Sequence, residues 1–224
     1  MPRLVIATRN DHKVAEIQAM LGSGFECESL RQYPAAPQAV EDGDTFADNA
    51  RKKAATLAAW FSEKNSGIPA VDWVLADDSG LEVDALNGAP GVHSARFAAL
   101  DAPGNAPDAD NNAKLLRLLA GVPPARRTAR FRCVLVVLPI ARRQAVDQLQ
   151  AAADLEFTVF EGVCEGIILE AARGQHGFGY DPLFVPAGQA KTFAELGDEI
   201  KNRISHRSRA LELARKTLVK VLPG

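Results

Sequence analysis

Only three cysteines occur in the 224 residues, and Cys27, Cys133 and Cys164 lie far apart. An odd, scattered set offers neither a zinc knuckle nor a Cys-x-x-Cys redox pair, so reduced, mostly buried thiols are expected. Apolar residues make up 47% of the chain, yet no run of them approaches membrane-spanning length. Met1-Pro2-Arg3 leads directly into Leu4-Val5-Ile6-Ala7, which is too short for the apolar core of a signal peptide, and a cytoplasmic location is expected. Charge of one sign is also missing. Lys and Arg total 26 against 28 Asp and Glu, a formal net charge of -2, which argues against the basic face of a nucleic-acid-binding protein. Any bound anion must therefore meet local positive charge. Repeats and linkers are absent too, so residues 1–224 read as one domain, large enough for a substantial core that can be organised as two lobes around a cleft.

Against these absences stands the run Ala76-Asp77-Asp78-Ser79-Gly80-Leu81-Glu82-Val83-Asp84. An apolar strand over Trp73 to Ala76 would carry two carboxylates to a sheet edge, where negative charge persists only beside water, a metal or a cation. Mg2+ suits such a place, because it takes few protein carboxylates and leaves its other positions to water and phosphate. The same residues also favour turns, so an Asp-Ser-Gly turn between two strands, Trp73 to Ala76 and Leu81 to Ala85, is the expected local structure.

Leu4 to Ala7 reads as a strand, followed by a polar turn and a helix with Val14, Ile17 and Leu21 on one face and Gly22 as its stop. A polar turn in that place, Thr8-Arg9-Asn10-Asp11-His12-Lys13, presents backbone N–H groups at the positive end of a helix dipole, a natural phosphate site. It is not a Walker loop, since the glycines and the Lys-Ser/Thr pair are lacking. Asn10 as a plain helix cap with a solvated Lys13 accounts for the segment equally. A second helix starts near Thr45, with Thr45 and Asp48 as its cap and Phe46, Ala50, Ala54, Leu57, Ala58 and Phe61 as its buried stripe. Asn49 and Lys53, four apart, share another face, and Glu41 lies just ahead.

Asn87-Gly88-Ala89-Pro90-Gly91 predicts a sharp reversal, and Ala99 to Asn111 a surface loop before a short helix containing Leu115, Leu116 and Leu119. Strands are expected over Phe131 to Leu138, Phe157 to Glu161 and Gly166 to Leu169, with a surface helix over Ala141 to Glu156. Gly177-Phe178-Gly179-Tyr180-Asp181 interleaves rings with glycines, which lets backbone approach a flat ligand and offers a stacking face. Core packing explains the two rings but not the glycines or the acid. A Thr192 to Glu195 capping box and a last helix from Ser205, burying Leu211, Ala214 and Leu218, complete the chain. Lys201 precedes that helix, and His206 and Arg207 at its start are donors suited to a keto oxygen. Fixed at the position-6 edge of a purine, they would accept hypoxanthine or xanthine and be left unpaired by adenine.

Taken in order, Ala7-Thr8-x-Asn10-x-x-Lys13, Thr45-Phe46-x-x-Asn49-Ala50-x-x-Lys53-Ala54, Ala76-Asp77-Asp78-Ser79-Gly80-Leu81, Gly88-Ala89-Pro90-Gly91-Val92-x-Ser94-Ala95-Arg96, Gly177-Phe178-Gly179-Tyr180-Asp181-Pro182 and Ser205-His206-Arg207 resemble the inosine triphosphate pyrophosphatase family. The resemblance implies an α/β fold of two lobes, a long central mixed sheet flanked by helices with the substrate cleft between the lobes, and a homodimer. It implies hydrolysis of ITP, dITP or XTP to the monophosphate and pyrophosphate, with Mg2+ as cofactor and no nucleic-acid or membrane partner. By the same resemblance Asp78 is the general base and, with Glu41, a metal ligand. Thr8, Arg9, Asn10, Asp11, His12, Lys13 and Lys53 would hold the triphosphate. Ser79, Phe178, Gly179, Tyr180, Asp181, Lys201, His206 and Arg207 would contact the rest of the substrate. Two alternatives share the pocket: modified pyrimidine triphosphates as substrates, or a nucleotide-binding module that has lost the reaction. Arg9 and Asp11 stand where many members carry small residues, Asp48 stands for a more usual Glu, and the segments 62–71 and 141–155 read as longer than typical.

Overall fold

The computed structural model describes residues 2–63, 71–101, 104–140 and 157–221, the last five as backbone. Strand β1 (Arg3–Ile6) pairs in parallel with β2 (Glu26–Ser29) and with β3 (Trp73–Val83). Parallel neighbours need crossovers, and helices α1 (Asp11–Leu21) and α2 (Phe46–Glu63) stand between these strands in the chain. With β4 (Thr128–Pro139), β5 (Thr158–Ile168) and β6 (Phe184–Pro186) they form one six-stranded sheet in the order β2-β1-β3-β4-β5-β6. Because β5 and β6 run antiparallel, with Ile167 opposite Val185, the sheet is mixed and the α/β class expected from the sequence is the one observed.

Two compact units are present, one comprising residues 1–78, 134–161 and 210–224 and the other residues 79–133 and 162–209. In the first, Asn10 caps α1 by accepting from the Lys13 N–H, and Gly22 stops it at φ 69°, a left-handed conformation that favours glycine. Thr45 caps α2 through the Asp48 N–H, and the apolar stripe read from the sequence is buried. Leu4, Val5, Ile6, Ile17, Ala50, Ala54, Val74 and Leu75 make the core, with an edge-packed cluster of Tyr33, Trp60 and Phe61 beside it.

The expected Asp-Ser-Gly turn does not form. Residues 73–83 are a single strand in the interior of the sheet, and the acidic pair lies within it instead of at an edge. The β1 register covers Trp73 to Leu75, β4 neighbours the strand on its other side, and the extended form continues through the acidic pair against its local turn preference, as tertiary context commonly imposes on strands. The reversal comes later. Asn87 is left-handed at φ 53°, and Val83 N–H bonds back to the Ala89 carbonyl.

In the second unit Leu81, Val83, Phe97, Leu115, Leu119, Phe131, Tyr180, Leu183, Phe184 and Phe193 form the core. Helix α3 (Asp108–Leu118) starts three residues before the expected loop ends, and Gly91–Ala99 is 3-10 helical where the sequence suggested none. The two strands expected over 157–169 are one, β5. Helix α4 (Phe193–Ile204) opens with the predicted Thr192–Glu195 box and breaks at Gly197, φ 75°, before α5 (His206–Val221). The helix read over 141–156, most of the longer segment at 62–71 and the Leu218 side chain lie outside the described residues.

Among the described residues Cys27, Cys133 and Cys164 form no disulfide. Burial pushes the Cys27 and Cys164 thiols up to about 11. Because the thiolate is the reactive form, native protein at pH 7.5 should alkylate with iodoacetamide far more slowly than unfolded protein, with mass spectrometry counting the adducts. Rapid modification of Cys27 would show that its pocket opens.

Candidate active site

In the first unit the acidic pair meets two lysines from two helices. Side chains alternate along a strand, so Asp77 and Asp78 diverge and each finds its own partner. Lys13, in the first turn of α1, places Nζ 2.6 Å from Asp77 Oδ1, and Asp77 is 1% exposed. Lys53, two turns into α2, places Nζ 2.7 Å from Asp78 Oδ1, 2.7 Å from Glu41 Oε2 and 3.1 Å from the Asp77 carbonyl. Glu41 and Asp78 therefore converge on one positive charge.

The Glu41 loop is set against the strand by Asn49, one turn before Lys53 on the same helix face. Asn49 Oδ1 accepts from the Gly43 N–H at 2.8 Å, and its Nδ2 donates to Asp78 Oδ2 at 3.4 Å. A Cβ on residue 43 would lie 2.8 Å from Asn49 Oδ1, so glycine is required there by close approach. Burial raises the Asp78 carboxyl above the usual range, against the pull of Lys53 and Lys13. For Lys53 burial disfavours the ammonium, but Asp78 and Glu41 more than offset it and leave its pKa raised. Lys53 stays charged.

The polar turn after β1 is ordered by its own residues. Thr8 Oγ1 accepts from the Asn10 N–H at 3.1 Å, and Arg9 Nη2 donates to the Ala36 carbonyl at 3.0 Å. Asp11 pairs with Arg31 at 2.6 Å on the surface, and His12 is exposed. Lys13 is thus the member of this turn that reaches the acidic pair, while Thr8 and Asn10 shape the helix start.

In the second unit, the glycine-rich run forms an arch with Gly177 at φ 76° and Gly179 at φ 63°. Asp181 Oδ2 accepts from the Phe178 N–H at 2.9 Å and from Lys201 Nζ at 2.5 Å. Lys201 Nζ also stands 4.4 Å from the centroid of the Phe178 ring, within cation–π range. Tyr180 is a core residue whose hydroxyl donates to the Ser94 carbonyl at 2.9 Å, and burial pushes its pKa upward. Arg207, almost fully buried at the start of α5, donates from Nη2 to Ser79 Oγ at 3.0 Å. His206 stacks on Phe131, with centroids 4.8 Å apart and planes 13° from parallel. Lys201, Asp181, Phe178 and Arg207 are therefore brought together, and Ser79 joins them through Arg207. The pairings themselves were not read from the sequence: Lys13 with Asp77, Lys53 with Asp78, Lys201 with Asp181 and Arg207 with Ser79.

Among the described residues no three His, Cys, Asp or Glu side chains converge as a metal cage. At this site two carboxylates, Glu41 and Asp78, hold a cationic group between them. That donor set fits a hard divalent ion that draws the rest of its shell from water and phosphate oxygens.

A sequence profile of the Ham1 family matches residues 4–217. A dITP/XTP pyrophosphatase from Desulforamulus reducens is 47% identical over 217 residues, covering 96% of this chain and 95% of the relative. One from Geobacter sulfurreducens is 46% identical, covering 97% of each. The solved structure of a HAM1 protein from Coxiella burnetii is 36% identical and superposes with a TM-score of 0.77 over 99% of this chain and 100% of that one. With the strand order, the acidic pair and the arch all in a chain matched almost end to end, the protein belongs to the Ham1 family.

Proposed function

We propose that the protein hydrolyses the non-canonical purine triphosphates ITP, dITP and XTP to the monophosphate and pyrophosphate, keeping them out of DNA and RNA. The observation that carries this reading is the convergence of Glu41 and Asp78 on one cationic position, with Lys13 close by on Asp77, in a chain 46–47% identical to dITP/XTP pyrophosphatases.

Lys13, Lys53 and the turn residues Thr8, Arg9, Asn10, Asp11 and His12 at the start of α1 neutralise and orient the triphosphate. Asp78 orients the attacking water and accepts its proton. Glu41 and Asp78 would hold Mg2+, which when bound supplies charge neutralisation over the leaving pyrophosphate. Phe178 offers its ring face to the base, Lys201, Asp181 and Tyr180 hold that ring and Gly179 in place, and Ser79 reaches the substrate beside Arg207. His206 and Arg207 read the base as donors to the position-6 oxygen. From the family resemblance the working enzyme is a cytoplasmic homodimer, which light scattering on the purified protein checks.

The test is release of pyrophosphate from ITP, XTP, dITP, ATP, GTP, UTP and dTTP, with Mg2+ or with EDTA. We expect kcat/KM for ITP and XTP to exceed that for ATP by about 100-fold or more, within the roughly 10,000-fold that a mismatched hydrogen-bonding site can impose. EDTA should abolish turnover and added Mg2+ restore it. ATP turning over as fast as ITP would remove the base-reading role from His206 and Arg207. Preference for UTP or dTTP would move the substrate class to pyrimidines, and orthophosphate as the product would move the site of attack.

A further inference from the structure

Two side chains of α3 hold Gly179 by both of its backbone groups. Asp108, in the first turn, accepts from the Gly179 N–H at 2.6 Å, and Asn112, one turn on, donates from Nδ2 to the Gly179 carbonyl at 2.9 Å. Four residues apart on a helix, the two share a face, and they reach across 71 and 67 residues of sequence. Nothing lies within 4 Å of where a Gly179 Cβ would stand, so glycine is there for its φ of 63° and not for space.

What this clamp secures is the neighbouring ring. Phe178 is half-buried, and its direction is set by the backbone of the arch. That backbone is held at residue 178 by Asp181 and at residue 179 by Asp108 and Asn112, and the next side chain is tied down where the Tyr180 hydroxyl donates to the Ser94 carbonyl. A hydrogen bond to a carboxylate is roughly twice as strong as a neutral one, so Asp108 is the stronger arm. Asn112 carries a cost: its Oδ1 is buried with no hydrogen-bond partner among the described residues. A buried acceptor left unpaired destabilises a fold, and such groups persist where they serve another purpose. Here that purpose is the hold of its Nδ2 on Gly179.

We infer that Asp108 and Asn112 are positioning residues for base recognition, fixing the Phe178 ring as the surface against which the purine stacks. This rests on the proposed reading of the arch as the base contact. The test compares Asp108→Ala, Asp108→Asn and Asn112→Ala with wild type in three measurements: steady-state kinetics on ITP, inhibition by inorganic triphosphate, and amide hydrogen exchange over residues 175–181. Asp108→Ala should raise KM for ITP by about 10-fold, the equivalent of one hydrogen bond to a charged group, and Asn112→Ala by about 3- to 5-fold, the smaller loss of a neutral one, each with kcat within about 3-fold. Inorganic triphosphate, which has no base, should inhibit them as it does wild type, and the arch amides should exchange faster. Asp108→Asn keeps an oxygen able to accept from the Gly179 N–H and should recover most of the loss.

An unchanged KM with wild-type exchange overturns the inference. So does a fall in kcat alone, which would place these residues in the chemistry, or an equal weakening of inorganic triphosphate, which would place them in phosphate binding. If wild type cleaves no purine triphosphate, the functional reading fails instead, and the exchange data alone then decide whether α3 anchors the arch.

Discussion

Asp78→Asn should lower kcat for ITP by about 100- to 10,000-fold, the usual contribution of a positioned general base, while ITP still binds. The change is nearly isosteric. An asparagine oxygen can keep the 2.7 Å contact with Lys53 Nζ, and what is given up is the long 3.4 Å bond donated by Asn49 Nδ2, which would face the new amide nitrogen, so the local fold changes little. What disappears is a charge and a proton acceptor. Lys53 is left with Glu41 as its carboxylate partner at 2.7 Å, and any cation drawn to the pair loses half of its anionic ligands. Both consequences fall on turnover more than on nucleotide affinity, since Lys13 and the α1 start remain to hold phosphates. Burst and steady-state pyrophosphate release measure kcat, and calorimetry with ITP in EDTA measures binding. Activity within about 3-fold of wild type would assign the proton transfer to another group. Loss of binding in parallel with turnover would make Asp78 a structural residue.

Local signals in the sequence located most of the helices and the motif residues, and missed what depends on distance in space. The Asn10 cap, the Gly22 stop, the stripe of α2 and the Thr192–Glu195 box were readable because each is a contact within one or two turns. Strand β2, Glu-Cys-Glu-Ser, has no β-branched residue, and β6 is three residues long, so neither announces itself. The acidic run is the instructive failure. Asp, Ser and Gly favour turns in isolation, but they continue a strand that pairs with β1 over Trp73 to Leu75 and neighbours β4, and the two aspartates' charges are met by Lys13 and Lys53, so the extended form is kept. The chemistry expected of Asp77 and Asp78 needed a cation, and the sequence already held two of them 64 and 25 residues away. No spacing rule reveals that, nor the union of Lys201 with Asp181 or of Arg207 with Ser79 across 128 residues.

Lys201→Met should destabilise the protein by about 3–5 kcal/mol, because it removes one member of a buried ion pair and takes from the Asp181 carboxylate the ammonium that compensates its burial. Both side chains of the pair are 2% exposed, and the Nζ to Oδ2 distance is 2.5 Å. Methionine fills the space of the lysine stem but cannot repay the carboxylate's lost hydration. At about 2–4 °C per kcal/mol for a chain of this size, the thermal midpoint should fall by roughly 6–20 °C. Adding Asp181→Asn to that variant removes the buried charge while keeping an oxygen for the Phe178 N–H, so the double variant should be more stable than Lys201→Met alone. The two substitutions are then strongly non-additive, with a coupling of about 0.5–3 kcal/mol between neighbours of this kind. Kinetics separates the stability role from the functional one. In the double variant the arch keeps its backbone bonds, but the Phe178 ring loses the ammonium now 4.4 Å from its centroid. If Lys201 serves only to neutralise Asp181, the double variant should regain wild-type KM for ITP along with its stability. If, as the site geometry argues, the ammonium also orients the ring for the base, stability should return while KM stays raised. Additive losses in the two single variants would show that this pair does not hold the arch.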